Sequence, residues 1–162
     1  MKRLALVAAT IMVFGVAGCG SKNPNTPSDT TVFTVQLSAL NEVPAVTNTE
    51  ISARGTAVIT INKTANTIDF SVSLNSFPTT SVLTAAHIHP GAAGVAGGVL
   101  VGTGLTTANA PSLSSGSATF TFSGVTPNTA DAITNILAAP QNFYFNVHTT
   151  ANGSGVMRGQ LR

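Results

Sequence analysis

The chain has 162 residues, with seven basic and five acidic side chains, three histidines and one cysteine. Charged residues make up only 7% of it, far below the roughly one quarter of ordinary soluble domains, and Thr, Ser, Asn and Gly carry the polarity instead. No basic patch is visible, which argues against nucleic acid as a partner.

The N-terminus reads as an address. Met1-Lys2-Arg3 is basic, Leu4 to Val16 is apolar, and Ala17-Gly18-Cys19-Gly20 is small. This is the pattern of a secretory signal, predicted over residues 1–18. Its apolar run of 13 residues is too short for a mature span, which takes about 20. Val16-Ala17-Gly18-Cys19 resembles the lipobox of bacterial lipoproteins. That resemblance implies that Cys19 is lipidated, begins the mature chain and holds it to a lipid bilayer. Gly20 does not resemble the aspartate that retains some lipoproteins at the inner membrane. The expected place is therefore the cell envelope: the outer membrane or cell surface, where the host has an outer membrane. A lipidated Cys19 leaves no thiol for catalysis, metal binding or a disulfide. Residues 19–31 are polar, carry Pro and Ser, and read as a flexible tether. Removing the signal takes Lys2 and Arg3 with it and leaves five basic residues against five acids, a formally neutral mature chain.

Residues 32–162 are enough for one domain with a real core. From Thr31 to Leu40, Phe33, Val35, Leu37 and Ala39 alternate with polar neighbours, which predicts a half-buried strand. Asn41-Glu42-Val43-Pro44 breaks it. Ala53 to Asn62 and Thr67 to Asn75 alternate again. The turn Lys63-Thr64-Ala65-Asn66 between them predicts a β-hairpin. Val82 to His89 is another strand, followed by a loop over residues 90–98 that carries Gly91, Gly94, Gly97 and Gly98. Val99 to Leu105 and Ser117 to Phe122 are further strands. The period then changes: Ala130, Ile133, Ile136 and Leu137 follow helical spacing. Pro127 stands at an early helical position, Asp131 in the first turn, and Pro140 ends the run. Asn142 to Thr149 and Val156 to Leu161 are the last strands, joined by a hairpin loop over residues 150–155. About eight short strands with one short helix predict an all-β fold, an antiparallel Greek-key β-sandwich.

All three histidines fall on two of these strands. In Ala86-His87-Ile88-His89 the period of two puts His87 and His89 on one face with Ile88 opposite. In Phe143-Tyr144-Phe145-Asn146-Val147-His148 the apolar residues take one face, and Tyr144, Asn146 and His148 the other. If the two strands are neighbours, three imidazoles converge, and imidazole is the commonest side-chain metal ligand. Copper or zinc is the candidate ion, with water completing its shell. Asp69 is a candidate hydrogen-bond partner for these ligands. The alternative is that the histidines bond to backbone and fix the Gly-rich loop.

The set Ala86-His87-Ile88-His89-x-Gly91-x-x-Gly94-x-x-Gly97, Asn146-Val147-His148-Thr149 and Gly155-x-x-Arg158-Gly159-Gln160-Leu161 resembles the CHRD family. So does the opening Phe33-x-Val35-x-Leu37-x-Ala39-x-Asn41-Glu42-Val43-Pro44. The resemblance covers about residues 32–162. It implies a sandwich similar to immunoglobulin-like folds and a histidine pattern similar to that of copper–zinc superoxide dismutase, but no defined activity. Gly91, Gly94, Gly97 and Arg158 would then serve loop and bracing roles. The family often has an acid before Ile-Arg-Gly; here Val156-Met157 precedes Arg158.

Three functions compete. The first is a non-catalytic binding or structural module, tethered outside the cytoplasm and facing an unknown protein or ligand. The second is a metal-binding module using the three histidines. The third is an enzyme. A dismutase-like copper site would want a fourth ligand histidine, which the sequence lacks. No Gly-x-Ser-x-Gly elbow marks a hydrolase.

Overall fold

A computed structural model describes residues 29–162; the expected signal segment, Cys19 and the expected tether through residue 28 lie outside the described residues. Eight strands and one short helix follow in order: β1 Thr30–Ser38, β2 Arg54–Asn62, β3 Thr67–Asn75, β4 Leu83–Pro90, β5 Val101–Gly102, β6 Ala118–Val125, α1 Ala132–Ala138, β7 Phe143–Thr149 and β8 Met157–Gln160. Among the described residues no helix is long and apolar enough to cross a membrane.

The strands form one continuous antiparallel sheet in the order β5-β4-β7-β8-β1-β2-β3-β6. The β2–β3 hairpin is in full register from Arg54↔Asn75 to Asn62↔Thr67, and Asn66 takes the left-handed turn position at φ 53°. The sheet curls. β3 and β7 stand four places apart in the strand order, about 19 Å in a flat sheet at ~4.8 Å per strand. Yet the Phe70 and Phe145 rings stack with centroids 5.7 Å apart. The half-barrel thus closes its inner face on itself, where Phe33, Val35, Ile59, Ile61, Phe70, Ile88, Phe145 and Val147 are buried together. These are the residues that the alternation assigned inward: burial along β1 and β3 follows the period of two. Phe70 is 1% exposed and Phe145 0%.

Local differences from the sequence reading have physical causes. β1 begins at Thr30 and is already paired there with Asn62, one residue before the strand start expected from the sequence. β1 stops at Ser38 because the Ser38 hydroxyl accepts the Leu40 N–H at 3.2 Å and turns the chain into a short 3-10 segment, Ala39–Asn41. The Val99–Leu105 stretch pairs only at Val101 and Gly102. Beyond them the Thr103 hydroxyl donates to Ala86 O and accepts from Leu105 N, which ends the ladder. The helix starts at Ala132, so Pro127 lies outside it, and Asp131 at its N-cap makes no side-chain capping bond. Hydrogen bonding is continuous across all eight strands rather than split between two sheets. A period-two pattern fixes which face a residue takes but not which strands become neighbours.

Candidate metal centre

β4 pairs with β7, with His87 opposite Asn146, His89 opposite Tyr144 and Ala85 opposite His148. His87 and His148 are therefore diagonal neighbours, a separation that side chains of this length bridge. Ile88, Phe145 and Val147 turn into the core, which leaves the histidines on the outer face of the curled sheet. There His89 and His148 are buried and His87 is half-buried.

The three side chains each offer one ligand atom, and those atoms all lie within 4.8 Å of one another. His87 Nδ1 is 3.0 Å from His148 Nε2. The rings of His87 and His148 meet edge to face at 4.8 Å, and those of His87 and His89 at 5.5 Å. Three nitrogens around a tetrahedral zinc at 2.0–2.1 Å would sit about 3.3 Å apart. The His87 Nδ1–His148 Nε2 pair, at 3.0 Å, lies near that spacing, and the widest separation in the cluster, up to 4.8 Å, is looser.

Backbone carbonyls set the tautomers. His89 Nδ1 lies 3.0 Å from Gly97 O and His148 Nδ1 3.0 Å from Gly153 O. A carbonyl oxygen only accepts, so each Nδ1 carries a proton, and in the neutral ring Nε2 is then the nitrogen with the lone pair. His89 Nε2 is buried with no partner. His148 Nε2 faces His87 Nδ1 and also Asn146 Oδ1, each at 3.0 Å. His148 Nε2 thus faces the Asn146 Oδ1 acceptor as well as His87 Nδ1, the one of the two partners able to carry a proton. Burial, reinforced by His148 and His89, pushes the His87 pKa down to about 4. Burial also lowers that of His148, against the opposing pull of the Gly153 carbonyl. Both rings are therefore neutral at physiological pH, the form that ligates metal.

The supports of this cluster are built from the sequence around it. Gly97 also donates its N–H to the Tyr144 hydroxyl at 3.2 Å. A Cβ at this position would collide with the Pro90 carbonyl oxygen, so only glycine lets the loop return over the histidines. Tyr144 stacks flat on His89, with centroids 5.0 Å apart, and the Arg158 guanidinium lies 4.5 Å from the other ring centre in this layer, that of Tyr144. Arg158 Nη1 donates to Val95 O at 3.0 Å, and Gln160 Nε2 to Gly91 O at 2.9 Å. Gly94, in the same loop, takes a positive-φ bend at 83°. On the other side, the Thr149 hydroxyl donates to Glu50 Oε2 at 2.6 Å, and Asn152 Nδ2 donates to the same oxygen, which holds the turn that presents Gly153.

Asp69 is not among these partners. It lies on β3, four places from β7 in the sheet, and its Oδ1 accepts the Gly124 N–H at 2.7 Å instead. The residues that orient the histidines are Asn146, Gly97 and Gly153. Asn146 was legible as a same-face neighbour of His148. Glu42 and Glu50, both buried, carried no sequence signal beyond being two acids in turns.

The family model described as CHRD domain matches residues 33–161. Neither a curated protein nor a solved structure matches the chain.

Proposed function

The chain belongs to the CHRD domain family, and from that premise we propose that it is a non-catalytic extracytoplasmic binding module whose cargo is a copper or zinc ion held by His87, His89 and His148. One observation carries the reading. Three imidazoles converge on the outer face, two of them with Nδ1 committed to a backbone carbonyl so that Nε2 is the nitrogen turned toward the cluster. Ligating histidines characteristically give their second nitrogen to a carbonyl or carboxylate in this way, which fixes the ring and the tautomer. Three imidazoles with a fourth position for water suit zinc or Cu(II). Lipidated Cys19 and the tether would hold the module at the envelope. The strand order reads as a Greek-key ring opened between β5 and β6, which is how the sandwich expected from the sequence would be realised.

The test is calorimetric titration of the purified, chelator-stripped full chain with Zn(II) and with Cu(II). We expect one saturable site. Alanine at His89 or His148 should weaken it by more than the roughly 10–100-fold that loss of an outer-shell partner costs, with the fold retained by circular dichroism. Absence of saturable binding of either ion would leave the histidines as loop supports and defeat the reading.

A further inference from the structure

Three imidazoles leave a four-coordinate ion one further position, and the chain brings a candidate for it. Asn146 stands on β7 two residues before His148 and pairs across the sheet with His87. It is 1% exposed. Its Oδ1 lies 3.0 Å from His148 Nε2, and His87 Nδ1 lies at the same distance from that nitrogen. Donor atoms around a tetrahedral zinc are about 3.3 Å apart, so both separations are close to the edge of one coordination tetrahedron.

Asn146 Oδ1 is an acceptor with no proton to accept. His148 gives its Nδ1 proton to Gly153 O, and the neutral ring then has none at Nε2 for Asn146. The other donor in the cluster, His87 Nδ1, reaches His148 Nε2. No other hydrogen bond reaches Oδ1 among the described residues. A buried carbonyl oxygen left in this state is costly, and a cation serves an oxygen and an imidazole lone pair at once. The carboxamide is also set from behind. Asn146 Nδ2 and Glu42 Oε2 both lie within 2.8 Å of the point where a Cβ on Gly155 would stand. The amide nitrogen, a donor only, thus shares the far side with a carboxyl group, and the oxygen is the end turned to the histidines. Glycine at 155 keeps that space open.

We propose that Asn146 Oδ1 is the fourth ligand, so that the chain alone fills the first shell of the ion with His87, His89, His148 and Asn146. This ligand set rests on the three-histidine reading and gives its fourth position to a carboxamide oxygen instead of water. The difference bears on function. Metal sites that do chemistry keep one position open for water or substrate, whereas sites closed by protein ligands do not. An ion closed in by Asn146 is held and not used, which is what a non-catalytic module requires.

The test is cobalt(II) in place of zinc on the full chain, read by visible absorption, with azide as the probe of an exchangeable position. In the parent chain we expect saturable one-to-one uptake of cobalt and a spectrum that azide leaves unchanged. Asn146→Ala should still take up cobalt, at least about tenfold more weakly. Azide should then shift its spectrum saturably, because water in the freed position exchanges. Asn146→Asp should stay closed to azide, since a carboxylate oxygen takes the same place. A side chain that merely steadied His148 would lower affinity in Asn146→Ala without changing the response to azide. Circular dichroism checks the fold of each variant, and Asn146→Ser serves where Asn146→Ala does not fold. A saturable azide shift in the parent chain, or a folded, cobalt-loaded Asn146→Ala or Asn146→Ser chain that stays closed, would overturn the proposal and leave the three-histidine site standing. No saturable cobalt uptake by the parent chain would overturn both.

Discussion

Glu42 and His87 are both displaced from their ordinary titration ranges by burial, in opposite senses. Glu42 rises from 4.5 to about 7. Between those values the folded chain keeps a proton that the unfolded chain has lost, so this contribution to stability is full below pH 4.5 and is lost as pH rises through about 7. His87 falls from 6.5 to about 4. Its contribution is full above pH 6.5 and is lost as pH falls through about 4. Glu42→Gln removes the first effect alone. The urea midpoint of the variant, measured against that of the parent chain, should rise steadily from pH 4.5 to pH 7 and level off above. A difference that stays constant across that window contradicts the burial assigned to this acid. Glu42 also marks a limit of the sequence: beside Val43-Pro44 it reads as a turn acid, and only the packing of Gly155 and Arg158 around it reveals a buried carboxyl.

At the scale of elements, the β2–β3 hairpin was legible in full, because Ile59, Ile61, Ile68 and Phe70 alternate on either side of a polar turn. The stacked Phe70 and Phe145 close the half-barrel from opposite sides. Phe70→Ala and Phe145→Ala should each cost about 3–5 kcal/mol in chemical denaturation, the range for a buried ring; a loss below 1 kcal/mol in either would mean that the ring does not fill the core. The β4–β7 pairing was legible only as a condition, since alternation puts His87 and His89 on one face but cannot choose their neighbour strand. The loop after β4 was legible in composition and not in purpose. Its purpose rests on Gly97, where the approach of Pro90 O admits no side chain. Gly97→Ala should push the loop away from His89 and Tyr144, cost about 1–3 kcal/mol and weaken zinc binding in the same titration. Unchanged zinc affinity in a folded Gly97→Ala chain would separate the loop from the site.

The whole molecule divides its labour between two faces of one curled sheet. The inner face buries the apolar alternation, and the outer face of β4, β7, β8 and β1, with Glu42 beside it, gathers five of the eight buried polar side chains of the described residues into two adjoining places. One is the histidine cluster; the other is the buried Arg158–Glu42 pair, with Tyr144 stacked between His89 and Arg158. In a chain with so few charges, this concentration of buried polar groups is a specific expense of stability. The most direct measurement is X-ray absorption on the zinc-loaded full chain. A first shell of nitrogen and oxygen at about 2.0–2.1 Å, with outer-shell scattering from three imidazoles that drops to two in His148→Ala, is the predicted result. A zinc shell without histidine scattering, or one that His148→Ala leaves unchanged, would contradict it.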